Sequence, residues 1–444
     1  MLYSYKNIKI IKFLLNVILI SSFTGLMLWR DVFNHNMAPV IFTVISIMIL
    51  LINDMEGIIA FITFMIPSYI GLQYGIVVLA AIIIVLFKYW KNFKFRGVLV
   101  IITILLMLIE YSSSVYGKFN FEEYLKFSAL IILVMVIIPC YKKRMNFVFI
   151  LKTYLWGFLF MEINIIGQYL TKYSWTKLLN LGIRLGNVAN DLNLKGGFRV
   201  SNDQNLLGTF AVIAISLVLV MGYKKMIPQF YYIFIVFAAL LGIMTQSRAF
   251  FVSSVFTFLY YIVFIIRKPF KSLTTLITMA FMLFFAYYII NSYFSSYLDN
   301  YILRFTQVSD ITNSRNQIFD LYNDFFFSHP QYIPFGMGIQ TYMTVARMTV
   351  SCHNGFQQLY ITWGFVGMFL VIVMLYQVYK VAVYGEKKPV EWLCLLTTFI
   401  YFLNLQTAQW FSNGGFILLM IICFYSIKLS FIQKDMDQPE YFKI

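Results

Sequence analysis

Charge is scarce in this sequence. Asp, Glu, Lys and Arg make up 12% of its 444 residues, about half the share found in a typical soluble domain. So few charges cannot clothe a globular surface in water, which excludes a soluble enzyme. Cysteine is also rare. Cys140, Cys352, Cys394 and Cys423 fit neither a disulfide framework nor a metal-ligand spacing. Histidine occurs three times, as His35, His329 and His353, so any imidazole chemistry has few candidates. There is no low-complexity tail, no clear soluble domain and no internal repeat. In a soluble protein the formal net charge of +16 would suggest a nucleic-acid partner. Here no nucleic-acid partner is expected, because the distribution of the charge follows membrane topology.

Hydrophobic residues are abundant, at 61% with a mean hydropathy of +0.79. Apolar runs of membrane-spanning length recur from end to end. Backbone groups in a bilayer core must be satisfied internally, and runs of this length predict helices. We expect an all-α polytopic membrane protein, one transmembrane domain over residues 1–444, with about fourteen spans. Their centres fall near Ile18, Ile45, Phe61, Val78, Leu105, Ile132, Leu159, Ala214, Val236, Phe256, Met282, Val371, Leu396 and Met420. The N-terminus resembles a signal peptide but lacks a small-residue cleavage site, and reads as an uncleaved first helix. Lysine-rich clusters support the count: Lys6, Lys9 and Lys12; Lys88, Lys91, Lys94 and Arg96; Lys142, Lys143 and Arg144; Lys224 and Lys225; Arg267, Lys268 and Lys271; Lys387 and Lys388. In a fourteen-span chain all of them fall on one side. The positive-inside rule makes that side cytoplasmic, together with both termini.

Polar residues concentrate in two long outer loops, 171–203 and 292–353. Lysine dominates inside and arginine outside. Arg184, Arg199, Arg304, Arg315 and Arg347 lie in the loops, and Arg248 follows the short outer turn Thr245-Gln246-Ser247. Topology disfavours positive charge outside, so these arginines need another reason. A guanidinium grips phosphate through two parallel bonds, and a diphosphate substrate at the outer surface supplies that reason. In the second loop, Ile318, Leu321, Tyr322, Phe325 and Phe326 follow Arg315 at helical spacing. They predict an amphipathic helix that lies on the membrane or caps the bundle. His329-Pro330 ends it, and Pro334, Gly336 and Gly338 form a turn-rich stretch.

The loop re-enters the membrane at His353-Asn354, followed after nine residues by Gly364-Phe365-Val366-Gly367. An imidazole that is neutral near pH 7 can accept a proton, so His353 is the candidate general base. Asn354 either orients the ring, binds a sugar hydroxyl or caps the following helix. Gly364 and Gly367 suit close helix packing. His329 reads as structural and His35 as incidental. Arg248, charged at the start of an apolar helix, is expensive there unless paired or functional. Glu162, deep in the seventh span, either pairs with an outer arginine or orients His353. Asp299, Asp310, Asp320 and Asp324 form no tight Asp-x-Asp pair, so neither a metal nor another cofactor is expected. Aromatic residues reach 19%, with 32 tyrosines, many suited to interfacial belts.

Three stretches resemble the lipid-linked oligosaccharide polymerases and ligases, meaning the O-antigen and capsule polymerases and the O-antigen ligases. They are Phe198-Arg199-Val200-Ser201-Asn202-Asp203-Gln204-Asn205-Leu206-Leu207-Gly208, then Thr245-Gln246-Ser247-Arg248-Ala249, and finally Arg315 through His353-Asn354 to Gly367. The N-terminal half is similar only in hydropathy. The resemblance implies a C-type membrane glycosyltransferase, inverting, in a bacterial cytoplasmic membrane, with its site facing outward. Its donor is a polyprenyl-diphosphate-linked oligosaccharide, and a flippase and a chain-length regulator are expected partners beside the lipid bilayer. His353 and Arg248 are then catalytic, and Arg199, Arg315, Asn205 and Asn354 bind substrate. We expect a polymerase, since the Ile-, Asn-, Lys- and Tyr-rich composition fits AT-rich genomes, where capsule producers without lipid A are common. The alternative is a ligase acting on lipid A-core, toward which the glycine spacing leans. An alternative of another class is a lipid-linked oligosaccharide flippase, although transporters usually show repeated halves.

Overall fold

Long apolar runs leave the backbone no partner but itself, and the chain resolves into helices accordingly. The computed structural model describes residues 2–35, 37–68, 71–113, 119–186, 200, 203–266, 284, 288, 291–306, 315–405 and 414–432. Among these no strand forms; one isolated antiparallel bridge joins Phe93 and Tyr141. The principal helices are α1 (Leu2–Val32), α2 (Pro39–Ile52), α3 (Met55–Met65), α4 (Gly71–Tyr89), α5 (Gly97–Ser113), α6 (Phe121–Ile132), α7 (Phe147–Leu170) and α8 (Gln204–Tyr223). They continue with α9 (Ile233–Met244), α10 (Arg248–Ile266), α11 (Ser295–Thr306), α12 (Arg315–Ser328), α13 (Gly355–Val383), α14 (Leu396–Asn404) and α15 (Gly414–Lys428).

Seven described helical segments are long and apolar enough to cross a bilayer: Ile10–Val32, Tyr74–Asn92, Phe121–Cys140, Phe147–Leu170, Gln204–Tyr223, Arg248–Ile265 and Gly355–Val383. Six further apolar helices are shorter, from Pro39–Ile52 to Ile417–Phe431. At 1.5 Å per residue, α2 and α3 measure about 21 and 17 Å, against about 30 Å of hydrocarbon. The expected centre at Met282 lies outside the described residues. Large apolar side chains point outward along the bundle, Phe87 at 86% exposure being the extreme. An apolar surface of this extent is stable in lipid, not in water.

Short polar residues start the helices. Asp54, Asn120, Asn146, Asp203 and Asn354 each accept a hydrogen bond from a backbone N–H in the first turn that follows, satisfying donors that the helix itself leaves orphaned. The bundle is built around α8, whose apolar window is 89% buried and which packs on α7, α9, α10 and α14. Polar side chains stitch this centre. Thr209 donates to Asn404 Oδ1 (3.0 Å), Asn404 donates to Ser253 Oγ (3.0 Å), and Ser216 donates to Thr397 (3.1 Å). In hydrocarbon, pairs of this kind hold helices in register where hydrophobicity cannot.

A buried ionic cluster anchors the end of the first long loop. Arg30 Nε lies 2.6 Å from Asp31 Oδ1. Asp31 Oδ2 accepts from Asn164 Nδ2 (3.0 Å) and from the Val200 N–H (3.3 Å). Gln168 donates to Asn164 (2.7 Å) and to the Val200 carbonyl (3.0 Å). Removing one member of such a pair strands the other charge. Asp31→Ala is expected to destabilise the protein by about 3–5 kcal/mol, read as a lowered thermal midpoint in detergent or nanodiscs.

Helix α13 is broken. Gly364 has φ 62° and ψ −173°, a conformation essentially reserved for glycine. The turn-rich stretch inserts there. Met337 and Gly338 donate to the carbonyls of Ile361 and Thr362, at 2.9 and 2.7 Å. Phe365 and Val366 donate to those of Ile333 and Pro334, at 2.9 and 3.1 Å. Irregular backbone is tolerated in a membrane protein when its polar groups are satisfied in this way. Gly364 and Gly367 therefore do more than permit helix packing: Gly364 makes the break.

Candidate functional site

The second long loop carries its own small core, formed by Tyr322, Phe326, Met337, Tyr342, Cys352 and Ile361 with neighbours. This core fixes α12 against the first turns of α13. Tyr322 OH donates to the Val350 carbonyl (2.7 Å). Gln357 Nε2 donates to the Phe319 carbonyl (2.7 Å) and to Asn323 Oδ1 (3.1 Å), and Tyr360 also donates to Asn323. Arg315 opens α12, and His353 stands just ahead of α13. The Gly355 N–H donates to the Leu405 carbonyl (2.7 Å), tying the histidine segment to the end of α14 and so to α8.

His353 is half-buried and adopts a left-handed backbone, φ 47°, uncommon outside glycine although histidine is among the residues that tolerate it. Burial lowers its pKa below the ordinary histidine value, the Arg315 guanidinium lowers it further, and Asp203 opposes them. The imidazole is thus neutral near pH 7 and able to accept a proton. The same electrostatics locate three groups from three segments in one neighbourhood: Asp203 from the first long loop, Arg315 from the second, and His353 at the re-entry. Cys352, beside the histidine, is buried with its thiol pushed up to about 11, so it is not a nucleophile at neutral pH.

Asp203 caps α8 and accepts from the Asn205 N–H (2.8 Å). Asn205 Oδ1 accepts from Ser247 Oγ (3.0 Å), and Ser247 immediately precedes Arg248, the half-buried first residue of α10. The turn before Arg248 is held from several sides. Gln246, itself left-handed at φ 49°, donates to the Gly182 carbonyl (2.6 Å). Arg184 Nε donates to the Thr245 carbonyl (2.8 Å), and Tyr301 OH donates to the Gly242 carbonyl (3.1 Å). The Asn205–Ser247 bond therefore links the Asp203 and Arg248 segments.

The remaining candidates separate by environment. Arg199 lies outside the described residues, although Val200, which follows it, is anchored on Asp31 and Gln168. Arg184 supports the Thr245 turn, and Arg347 is exposed. Asn354 Oδ1 accepts from the N–H groups of Phe356 and Gln357, both at 3.0 Å, so of its three readings the helix cap is the one seen. His329 stacks on Phe325 at 4.2 Å and bonds its carbonyl (2.8 Å), closing α12. His35 stacks on Trp29 at 4.9 Å. Glu162 is buried, its Oε2 has no hydrogen-bond partner among the described residues, and the carboxylate that acts on His353 is Asp203. Among the described residues no group of three His, Cys, Asp or Glu could hold a metal ion.

No family model matches this chain, and no curated protein matches its sequence.

Two further residues shape the site, and neither stands out in the sequence. Glu110, buried at the end of α5, accepts from the Ile339 N–H (2.9 Å) and from Trp363 Nε1 (2.9 Å). It thereby clamps the inserted stretch to the residue before the Gly364 break. Asp203 is the second, and its signal is its place in the first of the three resembling stretches, two residues before Asn205. Glu110→Ala leaves the buried Trp363 N–H and the part-buried Ile339 N–H without this acceptor, a loss of about 1–3 kcal/mol for the buried group and less for the other. The expected readout is a lowered thermal midpoint together with protease sensitivity in 333–339.

Proposed function

We propose that the protein polymerises lipid-linked oligosaccharide repeat units. It transfers glycan from a polyprenyl diphosphate to the terminal sugar of another lipid-linked unit. The observation that carries this reading is the gathering of a neutral, half-buried His353 with Arg315 and Asp203, joined through Asn205 and Ser247 to Arg248. A proton acceptor beside phosphate-binding guanidiniums suits displacement of a diphosphate. In the proposed reaction His353 takes the proton of the acceptor hydroxyl as its oxygen attacks the anomeric carbon. The bond from that carbon to the diphosphate oxygen breaks, and Arg248, Arg199 and Arg315 stabilise the negative charge that develops on the leaving group. Asn205 holds the Arg248 turn, and Asn354 sets the direction in which α13 leaves the site. A single displacement inverts the anomeric configuration, and the arginines take the place of a divalent ion.

The finer architecture belongs to the same proposal. The shorter apolar helices complete about fourteen spans of a C-type glycosyltransferase in a bacterial cytoplasmic membrane. The lysine-rich ends and both termini lie inside, and the site faces outward, where the flippase delivers donor and a chain-length regulator docks.

The test offers purified protein defined polyprenyl-diphosphate repeat units in the presence of chelator, with and without a lipid A-core acceptor. A ladder from repeat units alone supports the polymerase. Glycan found only on lipid A-core would replace it with the ligase reading, toward which the His-Asn and glycine spacing leans.

A further inference from the structure

At the far end of α13 from His353 lies a cavity of about 500 Å³. Beyond the break at Gly364, residues 365–383 of α13 alone span about 28 Å at 1.5 Å per residue, so this cavity is remote from the site described above. Lys94, Arg96, Lys142, Lys143, Arg144 and Lys428 line it. Glu386 is the one acidic residue among the described lining residues. Its apolar lining includes Val381, Phe424, Phe431 and Ile432.

Positive-inside topology accounts for basic residues near helix ends, and Lys387 and Lys388 meet that need from outside the cavity. It does not account for convergence. Here cations from three separate segments, 94–96, 142–144 and 428, surround one concavity, and the backbone is built to hold them there. The Lys94 N–H donates to the Cys140 carbonyl (2.9 Å), and the Lys142 N–H donates to the Asn92 carbonyl (2.9 Å). Phe93 and Tyr141 form the bridge between the two segments, their rings 5.5 Å apart. The Arg96 guanidinium is seated 5.1 Å from the Tyr384 ring centroid, and both residues line the cavity. Six cations converging on one concavity, with Glu386 the one acid among its described lining residues, suit an anion. The apolar lining calls for a ligand with a hydrophobic portion, and the volume suits a headgroup with its first acyl carbons.

We propose that this cavity is a binding site for a phosphate diester anion, carried on the headgroup of an acidic phospholipid. The site is independent of the transfer reaction and survives if that reading fails.

Full-length protein is placed in phosphatidylcholine nanodiscs with and without phosphatidylglycerol, and retained lipid is read by native mass spectrometry. Wild type is expected to retain phosphatidylglycerol over phosphatidylcholine by at least about tenfold, the scale of a few basic side chains near a headgroup. Arg96→Gln with Lys428→Gln removes the preference, Lys428→Arg keeps it and shows that the cavity still folds, and Lys387→Gln with Lys388→Gln leaves it intact. Equal loss in both glutamine pairs would mean diffuse surface attraction and overturn the site. Thermal stabilisation by inorganic phosphate without lipid preference would overturn the lipid source in favour of soluble phosphate. No lipid preference and no stabilisation by phosphate would overturn the site altogether.

Discussion

His353→Ala is expected to lower glycan transfer by about 10²–10⁴-fold, the range a positioned general base contributes, while thermal stability stays close to wild type. The ring is half-buried and has no role in capping α13, which belongs to Asn354, so its loss leaves the helix start intact. The pH profile carries a sharper signature. A base must be unprotonated, and burial with Arg315 holds the His353 pKa below the ordinary value, near 6.5. Transfer therefore persists at pH 6.5 and falls only as pH drops through the lowered value. Arg315→Gln removes a cation that depresses the pKa, so the acid limb moves up, and donor binding weakens as well. Asp203→Asn removes the opposing charge, so the limb moves down, while asparagine keeps the cap on α8. Opposite displacements in these two variants, read from initial rates across pH, are a result that a purely structural histidine would not give.

Gly364→Ala is the second large effect. A Cβ at this position would stand 2.3 Å from the Pro334 carbonyl carbon and oxygen, in a backbone with φ 62°. Backbone cannot retreat as a flexible side chain can, and the conformation alone costs on the order of 1–3 kcal/mol. The variant is expected to lose the insertion of 333–338 into α13, with a depressed thermal midpoint and no transfer. Gly385→Ala is the control. It also has positive φ, 80°, but nothing lies within 4 Å of its added Cβ, so it incurs the backbone strain without the collision. A smaller drop in the midpoint for Gly385→Ala separates the two contributions; equal drops would show that the packed break is not what Gly364 sustains.

These residues also mark where the sequence was legible. Apolar run length reports burial in lipid directly, so helices such as α7, α8 and α13 can be read one at a time. The spacing of Ile318, Tyr322, Phe325 and Phe326 coincides with α12, because a local period of 3.6 needs no partner to be recognised. The break in α13 is different. Gly364-Phe365-Val366-Gly367 has the composition of a helix that packs closely, and it becomes a break only because Pro334 and Gly336 arrive from thirty residues earlier. The clamp by Glu110 is less visible still, since its partners are more than two hundred residues away in sequence. Among carboxylates, Glu162 drew attention by its depth in an apolar run. Asp203, one residue of the first resembling stretch, is the carboxylate whose charge reaches His353. Long-range juxtaposition is what the linear pattern does not encode. The sequence offers candidates by residue type, and it does not offer their arrangement.

The central claim is that this site forms a glycosidic bond by displacing a polyprenyl diphosphate. One measurement tests it most directly. Purified protein in chelator is given a single defined lipid-linked repeat unit, and elongated product and free polyprenyl diphosphate are quantified together over time by mass spectrometry. The account predicts one polyprenyl diphosphate released for each glycosidic bond formed, with the anomeric configuration inverted and both products lost in His353→Ala. Release without elongation, a retained configuration, or elongation undiminished in His353→Ala would contradict it.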